Sequence, residues 1–137
     1  MKKLHLEIIT PEKVVYTDEV DMVVAPGAEG DLGILPGHIP LFTKVKPGEI
    51  MIRKGSGDSY LAVTGGFLEV LNDNVNILAD YAVRAEEVAV VQAEEAKKRA
   101  EKLMEERSTK QDFALAQAEL QKAILELKVA KRKKIRI

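Results

Sequence analysis

The stretch YLAVTGGFLEVLNDNVNILADYAVRAEEVAVVQAEEAKKRA, Tyr60–Ala100, holds two kinds of chain. Up to Ala79 its side chains alternate: Tyr60, Ala62 and Thr64 with Leu61 and Val63, then Phe67 to Leu71, then Val75, Ile77 and Ala79. A period of two belongs to β-strands. Asn72-Asp73-Asn74 interrupts it with turn chemistry, because Asn and Asp accept left-handed backbone and bond to their own main chain. From Glu86 onward Ala, Glu, Lys, Leu, Arg and Gln dominate, all strong helix formers. All nine glycines lie at or before Gly66, and Pro47 is the last proline. The chain therefore divides at Ala85 into a strand-rich unit, residues 1–85, and a helical unit, residues 86–137.

Towards the N-terminus the strand pattern continues. Leu4, Leu6 and Ile8 alternate with His5, Glu7 and Ile9 up to Thr10-Pro11. Val14–Tyr16 and then Val20–Ala25 are short valine-rich runs, the latter stopped by Pro26-Gly27. Ile39–Val45 ends at Pro47-Gly48, and Glu49–Arg53 ends at Gly55-Ser56-Gly57-Asp58. Such a series, with no helical period between its members, excludes βαβ units. Faces of this kind bury themselves in a sandwich or a flattened barrel. The segment Gly27–Gly33 reads as a tight exposed loop. It leads into Ile34 and Leu35, apolar residues among polar neighbours on a stiff loop, an arrangement that suits an interface.

Towards the C-terminus, Ala93, Ala96, Ala100, Leu103 and Arg107 recur every three to four residues. A break follows at Arg107-Ser108-Thr109-Lys110. Either Ser108, with Gln111 three residues on, or Thr109, with Asp112, fits the N-cap of a second helix. That helix carries Phe113, Ala116, Leu120, Ala123, Ile124, Leu127 and Ala130 along one face. A short connection between two helices makes them antiparallel neighbours. The expected fold is thus mainly β plus α: an N-terminal β-sandwich followed by a C-terminal antiparallel two-helix hairpin.

Composition closes off several functions. There is no cysteine, so disulfides, thiolate metal sites and thiol nucleophiles are excluded together. His5 and His38 are the only histidines, far apart in sequence, and no Ser-His-Asp order can be assigned. No metal-ligand spacing of the zinc or EF-hand kind occurs. Asp18, Glu19 and Asp21 fall on both faces of a strand and read as a solvated edge. Gly27–Gly33 lacks the Gly-Lys-Ser/Thr of a phosphate loop and carries Glu29 and Asp31, which would repel phosphate. The N-terminus has no sustained apolar run, and no stretch is long enough to span a bilayer, so neither a signal peptide nor membrane insertion is expected.

Charge is unevenly placed. Residues 1–85 carry eight bases and twelve acids, net −4, and residues 86–137 thirteen bases and ten acids, net +3. Lys128, Lys131, Arg132, Lys133, Lys134 and Arg136 crowd the last ten residues without an acid. Such a run reads as a solvated helix end or as a surface for an acidic partner.

Several segments together resemble the epsilon subunit of the bacterial F-type ATP synthase, the counterpart of the mitochondrial delta subunit. They are LHLEIITPEKVVY (Leu4–Tyr16), Val24-Ala25-Pro26-Gly27, GDLGILPGHIPL (Gly30–Leu41), Val63-Thr64-Gly65-Gly66-Phe67 and ILADYAVRAEEV (Ile77–Val88). The resemblance covers the whole chain and implies a non-catalytic central-stalk subunit. Its partners would be the gamma subunit, the c-ring and the alpha and beta subunits of the catalytic head, with no nucleic acid. It would sit peripherally on the cytoplasmic face of the bacterial plasma membrane. By the same resemblance Glu29, Asp31 and His38 face the c-ring, and the sandwich binds gamma. The basic arm with Lys128, Lys131, Arg132, Lys133 and Lys134 approaches acidic catalytic-subunit segments and blocks ATP hydrolysis.

Some relatives bind ATP through Ile/Leu-Asp-x-x-Arg-Ala. Here the matching residues are Val88, Ala89, Gln92 and Ala93, followed by Lys122 and Glu126 on the second helix. Alanine cannot accept a ribose hydrogen bond and glutamine cannot neutralise phosphate. The motif is degenerate, and neither a cofactor nor tight ATP binding is expected. The alternative is a free-standing β-sandwich adaptor whose helical arm recruits another partner.

Overall fold

Valine, isoleucine and leucine at alternate positions leave each strand one apolar face, and in this computed structural model ten strands bury those faces together. It describes residues 2–106 and 109–135, and the side chains of all of these except 133–135. The Ser108 cap and the side chains of Lys133 and Lys134 therefore lie outside the described residues. The chain forms two compact units, Met1–Arg84 and Ala85–Ile137.

The strands are β1 (Leu4–Ile9), β2 (Val14–Val20), β3 (Met22–Gly27), β4 (Gly30–Ile34), β5 (Leu41–Val45), β6 (Gly48–Lys54), β7 (Gly57–Val63), β8 (Gly66–Leu71), β9 (Asn74–Ala79) and β10 (Ala82–Arg84). They pair in the order β10-β7-β6-β3-β5-β8-β9-β1-β2, with β4 added to β3. One layer is β4-β3-β6-β7-β10 and the other β5-β8-β9-β1-β2. They are joined where Gly27 of β3 bridges Val45 of β5. This is the expected sandwich. Its core is aliphatic: Leu4, Leu6, Ile8, Val23, Ile50, Ile52, Leu61, Leu68 and Ile77 are all within 1% of complete burial. Among the described residues no polar or charged side chain is buried.

Four details differ from the sequence expectation. Gly27–Gly33 is not a loop: β3 and β4 form a hairpin in which Gly27 faces Gly30 across the tip Ala28-Glu29. Ile34 is not exposed but fully buried, because it is the last inward-facing residue of β4. The strand beginning at Val14 runs through Thr17, Asp18 and Glu19 and breaks only at Asp21, since Leu4–Ile9 pairs along its length. A tenth strand, Ala82–Arg84, follows Ala79.

Two glycine and turn positions are decided by geometry. Asn72 and Asp73 have φ of 50° and 62° and make the two-residue turn between β8 and β9, the left-handed pair that tight hairpins favour. Gly66 has φ of 151°, and a Cβ there would lie 2.0 Å from the Leu78 carbonyl oxygen, so only glycine lets β8 meet β9 at this point.

In the second unit a single 3₁₀ turn, Ala85–Glu87, precedes α1 (Val90–Glu105) and α2 (Lys110–Ile135). Thr109 is the cap: its Oγ1 accepts the Asp112 N–H at 3.1 Å. Ala89 stands at the N-cap of α1 with no side-chain hydrogen bond.

The helices meet through small residues. Ala93 and Ala100 are the buried residues of α1, and Ala116, Ala123 and Ala130 are buried on α2. Both sets recur every seventh residue, so each helix keeps one alanine seam towards the other. Phe113 and Ile124, expected on the inner stripe, are instead 41% and 45% exposed. A seam lined by alanine brings two helices close together and leaves no room for them. Val129, outside the expected stripe, is fully buried.

Candidate functional site: an exposed apolar face, an acidic hairpin and a basic groove

Inward-facing residues of β5, β8, β9 and β1 fill the core, so their alternates face outward. In most sandwiches those alternates are polar. Here Lys44 of β5 faces Phe67 of β8, Phe67 faces Leu78 of β9, Leu78 faces Ile9 of β1, and Ile9 faces Val14 of β2. Phe42 and Leu71 extend the row. Phe42 is 66% exposed and its ring stacks on Phe67 with centroids 5.7 Å apart. Leu71, Leu78 and Val14 are about half exposed. The sequence carries this face openly, in the outward positions of five adjacent strands, but the register that unites them is not local. The expectation of a sandwich face for a partner did not name these residues.

The three acidic and histidine positions are not brought together. Glu29 is at the β3–β4 tip and Asp31 is the second residue of β4, both exposed. His38 lies past the other end of β4, which spans roughly 13 Å at about 3.3 Å per residue. The His38 loop is held there by Asp73. Its Oδ1 accepts the Gly37 N–H at 2.7 Å, and its carbonyl accepts the His5 N–H at 2.8 Å. His38 Nδ1 in turn bonds the Ile39 carbonyl at 2.7 Å, leaving Ile39 74% and Leu35 55% exposed. The sequence showed Asp73 only as a turn former.

Asp18, Glu19 and Asp21 are solvated ion-pair partners. Asp18 pairs with Lys54, Asp21 with Lys3, and His5 Nδ1 stands 3.6 Å from Glu19. The Lys54 hydrogen bond holds the Asp18 carboxyl below its ordinary range, and the Lys3 hydrogen bond, helped by the Gly55 N–H, does the same for Asp21. No group of three or more His, Asp or Glu among the described residues could hold a metal.

In the helical unit Val88 is half-buried, Ala89 and Gln92 are exposed, and Ala93 lies in the seam. Lys122 and Glu126 are half-buried on α2 and both are engaged with other groups. Lys128 and Lys131 border a groove of about 610 Å³ between the helices, with Lys97, Lys98, Glu94 and Glu101 on the α1 side and Ile124 and Leu127 among its α2 lining. Arg132 is half-buried. Among the described residues no helix is long and apolar enough to cross a membrane.

A β-sandwich with an apolar outer face, joined to an alanine-seamed helical hairpin with a basic end, is the build of a subunit that works inside a larger assembly. Residues 3–85 match the family described as "ATP synthase, Delta/Epsilon chain, beta-sandwich domain", and residues 86–131 match "ATP synthase, Delta/Epsilon chain, long alpha-helix domain". The chain belongs to the ATP synthase delta/epsilon chain family.

Among its relatives, the ATP synthase epsilon chain of Syntrophobacter fumaroxidans is 47% identical over 131 residues, covering 96% of this chain and 98% of that one. That of Desulforamulus reducens is 46% identical over 129 residues, covering 94% and 98%. The fold recurs in a chain of the Euglena gracilis mitochondrial ATP synthase OSCP/F1/c-ring structure, with TM-score 0.78 at 20% identity, covering 93% of this chain and 81% of that one. It recurs too in the Tetrahymena thermophila mitochondrial ATP synthase central stalk/c-ring structure, with TM-score 0.61 at 21% identity, covering 93% and 96%.

Proposed function

We propose that this chain couples the gamma subunit to the c-ring in the rotating central stalk, and that its helical arm inhibits ATP hydrolysis by the alpha and beta subunits. The observation that carries the reading is the outward apolar row Phe67-Leu78-Ile9-Val14, with Phe42 and Leu71 beside it. Left in water, a stacked phenylalanine pair among half-exposed aliphatics is a liability. Covered by gamma, it becomes the apolar centre of a lasting interface. The acidic hairpin and the His38 loop, at opposite ends of β4, then suit a broad partner such as a ring better than a single pocket.

Lys128, Lys131, Arg132, Lys133 and Lys134 give the arm its attraction for acidic catalytic-subunit surface. The chain lies peripherally on the cytoplasmic face of the membrane and needs no nucleotide of its own. Affinity purification from native membranes should bring down gamma, the c-ring and the catalytic head. Exchanging Phe42 and Phe67 for serine should weaken gamma binding, and deleting residues 86–137 should raise ATP hydrolysis. Wild-type gamma binding by the double serine variant, together with unchanged hydrolysis by the deletion, would refute both halves of the reading.

A further inference from the structure

The two layers of the sandwich leave two seams where backbone pairing stops, and these are finished differently. At one, between β10 and β2, Arg84 Nε and Nη2 donate to the Val15 carbonyl oxygen at 3.0 and 2.8 Å, and the guanidinium sits 5.1 Å from the centre of the Tyr16 ring. That edge is stitched shut. At the other, β4 pairs with β3 and with no other strand. Asp31 faces Pro26 in this ladder. Proline has no N–H, so theirs is a non-hydrogen-bonded pair, and such pairs alternate along an antiparallel ladder. Asp31 and Gly33 are therefore the residues whose N–H and C=O groups point away from β3.

Among the described residues nothing bonds to those outward groups. Both residues are exposed, and a Cβ added to Gly33 would meet only open space. Natural sheet edges are usually guarded by lysine, proline, a bulge or a covering segment. Here the guard is a single carboxylate, Asp31, with Glu29 beside it at the tip. Neither acid has an ion-pair partner among the described residues.

We infer that the outer edge of β4 receives an extended segment of a protein partner as an added strand, with a basic residue lying against Asp31 and Glu29. Four outward backbone groups supply the grip, and the open space beside Gly33 leaves this edge uncovered. The inference rests on the stalk reading. It adds that the acidic hairpin is held by its main chain and not by its carboxylates alone.

Hydrogen–deuterium exchange resolved to single amides tests this on the free chain and on the complex that retains it in native membranes. The Asp31 and Gly33 amides should exchange quickly in the free chain and at least tenfold more slowly in the complex. Gly30 and Leu32, already bonded to β3, should change little. Unchanged Asp31 and Gly33 amides in the complex overturn the inference, because a side-chain contact leaves them free. Protection that rises with the concentration of the free chain makes the occupant a second copy and overturns the partner assignment.

The subunits that co-purify are identified separately. A failed stalk assignment and a failed edge assignment therefore give different results. As a second arm, Gly33→Pro removes one outward N–H while sparing the β3 ladder, and Gly33→Ala keeps it. Retention in the complex should fall about tenfold for proline and stay within about twofold for alanine. Equal retention of the two counts against the added strand, and exchange decides the matter if the proline variant melts early.

Discussion

Leucine at position 123 is the sharpest probe of how the helical unit is held together. Ala123 is 1% exposed and shares its seven-residue spacing with Ala116 and Ala130, while Ala93 and Ala100 answer on α1. The closed hairpin thus depends on a seam with room for methyl groups only. A leucine side chain must either force the helices apart or twist out of its rotamer, at a cost of about 1–3 kcal/mol. Because this unit has few large buried side chains, most of that cost falls on the closed state. Its opening constant should rise roughly 5- to 150-fold.

Amide exchange across α1, read under conditions where closing outpaces exchange, measures that constant directly. Leu115→Ala is the control: Leu115 is 68% exposed, and its loss should shift exchange by less than about 0.5 kcal/mol. Unchanged α1 exchange in Ala123→Leu, or an equal change in the Leu115 control, would show that the alanines are not the contact that closes the hairpin.

Gly66→Ala should cost the sandwich several kcal/mol, since the new Cβ would sit 2.0 Å from a carbonyl oxygen at φ 151°; thermal unfolding followed by circular dichroism checks it, and a melting point within a few degrees of the parent refutes it. Asp18 and Asp21 have carboxyls lowered from an ordinary value of 3.8, so their contribution is present above that value and lost as the pH falls through the lower folded-state values. The Asp18→Asn/Asp21→Asn variant should accordingly lose less stability than the parent on acidification below about pH 4, by urea titration at stepped pH. Ala89→Asp should stabilise α1 by about 0.5–2 kcal/mol as an N-cap, with or without nucleotide. Combined with Gln92→Arg it should also raise ATP affinity above the weak level expected of the parent, which calorimetry can separate from the helix effect.

How much of the site was legible varies with how far its parts lie apart in the chain. Glu29, Asp31 and His38 fall within ten residues of one another, which invites reading them as one cluster. β4 separates them, because an extended strand moves the chain farther per residue than a loop does. Ile34 looked exposed for the same reason: a loop reading gives no face, and only the β3–β4 pairing assigns it one. Arg84 and Asp73 were missed because each acts on a backbone group far away in sequence, Val15 and Gly37, and no local pattern marks such a reach.

By itself the sequence determined the two-part plan, the strands other than β4 and β10 with most of their inward residues, the turn at Asn72-Asp73 and a cap at either Ser108 or Thr109. These follow from periodicity, breakers and short-range hydrogen bonding, which act within a few residues. Tertiary structure alone decided the parallel pairing of β1 with β9, the apolar row it completes from Phe67 across to Val14, the bare outer edge of β4, and the choice of alanine over Phe113 and Ile124 for the helix seam. Each depends on which distant segments approach and how closely, and that is settled by filling one core and one seam at native density.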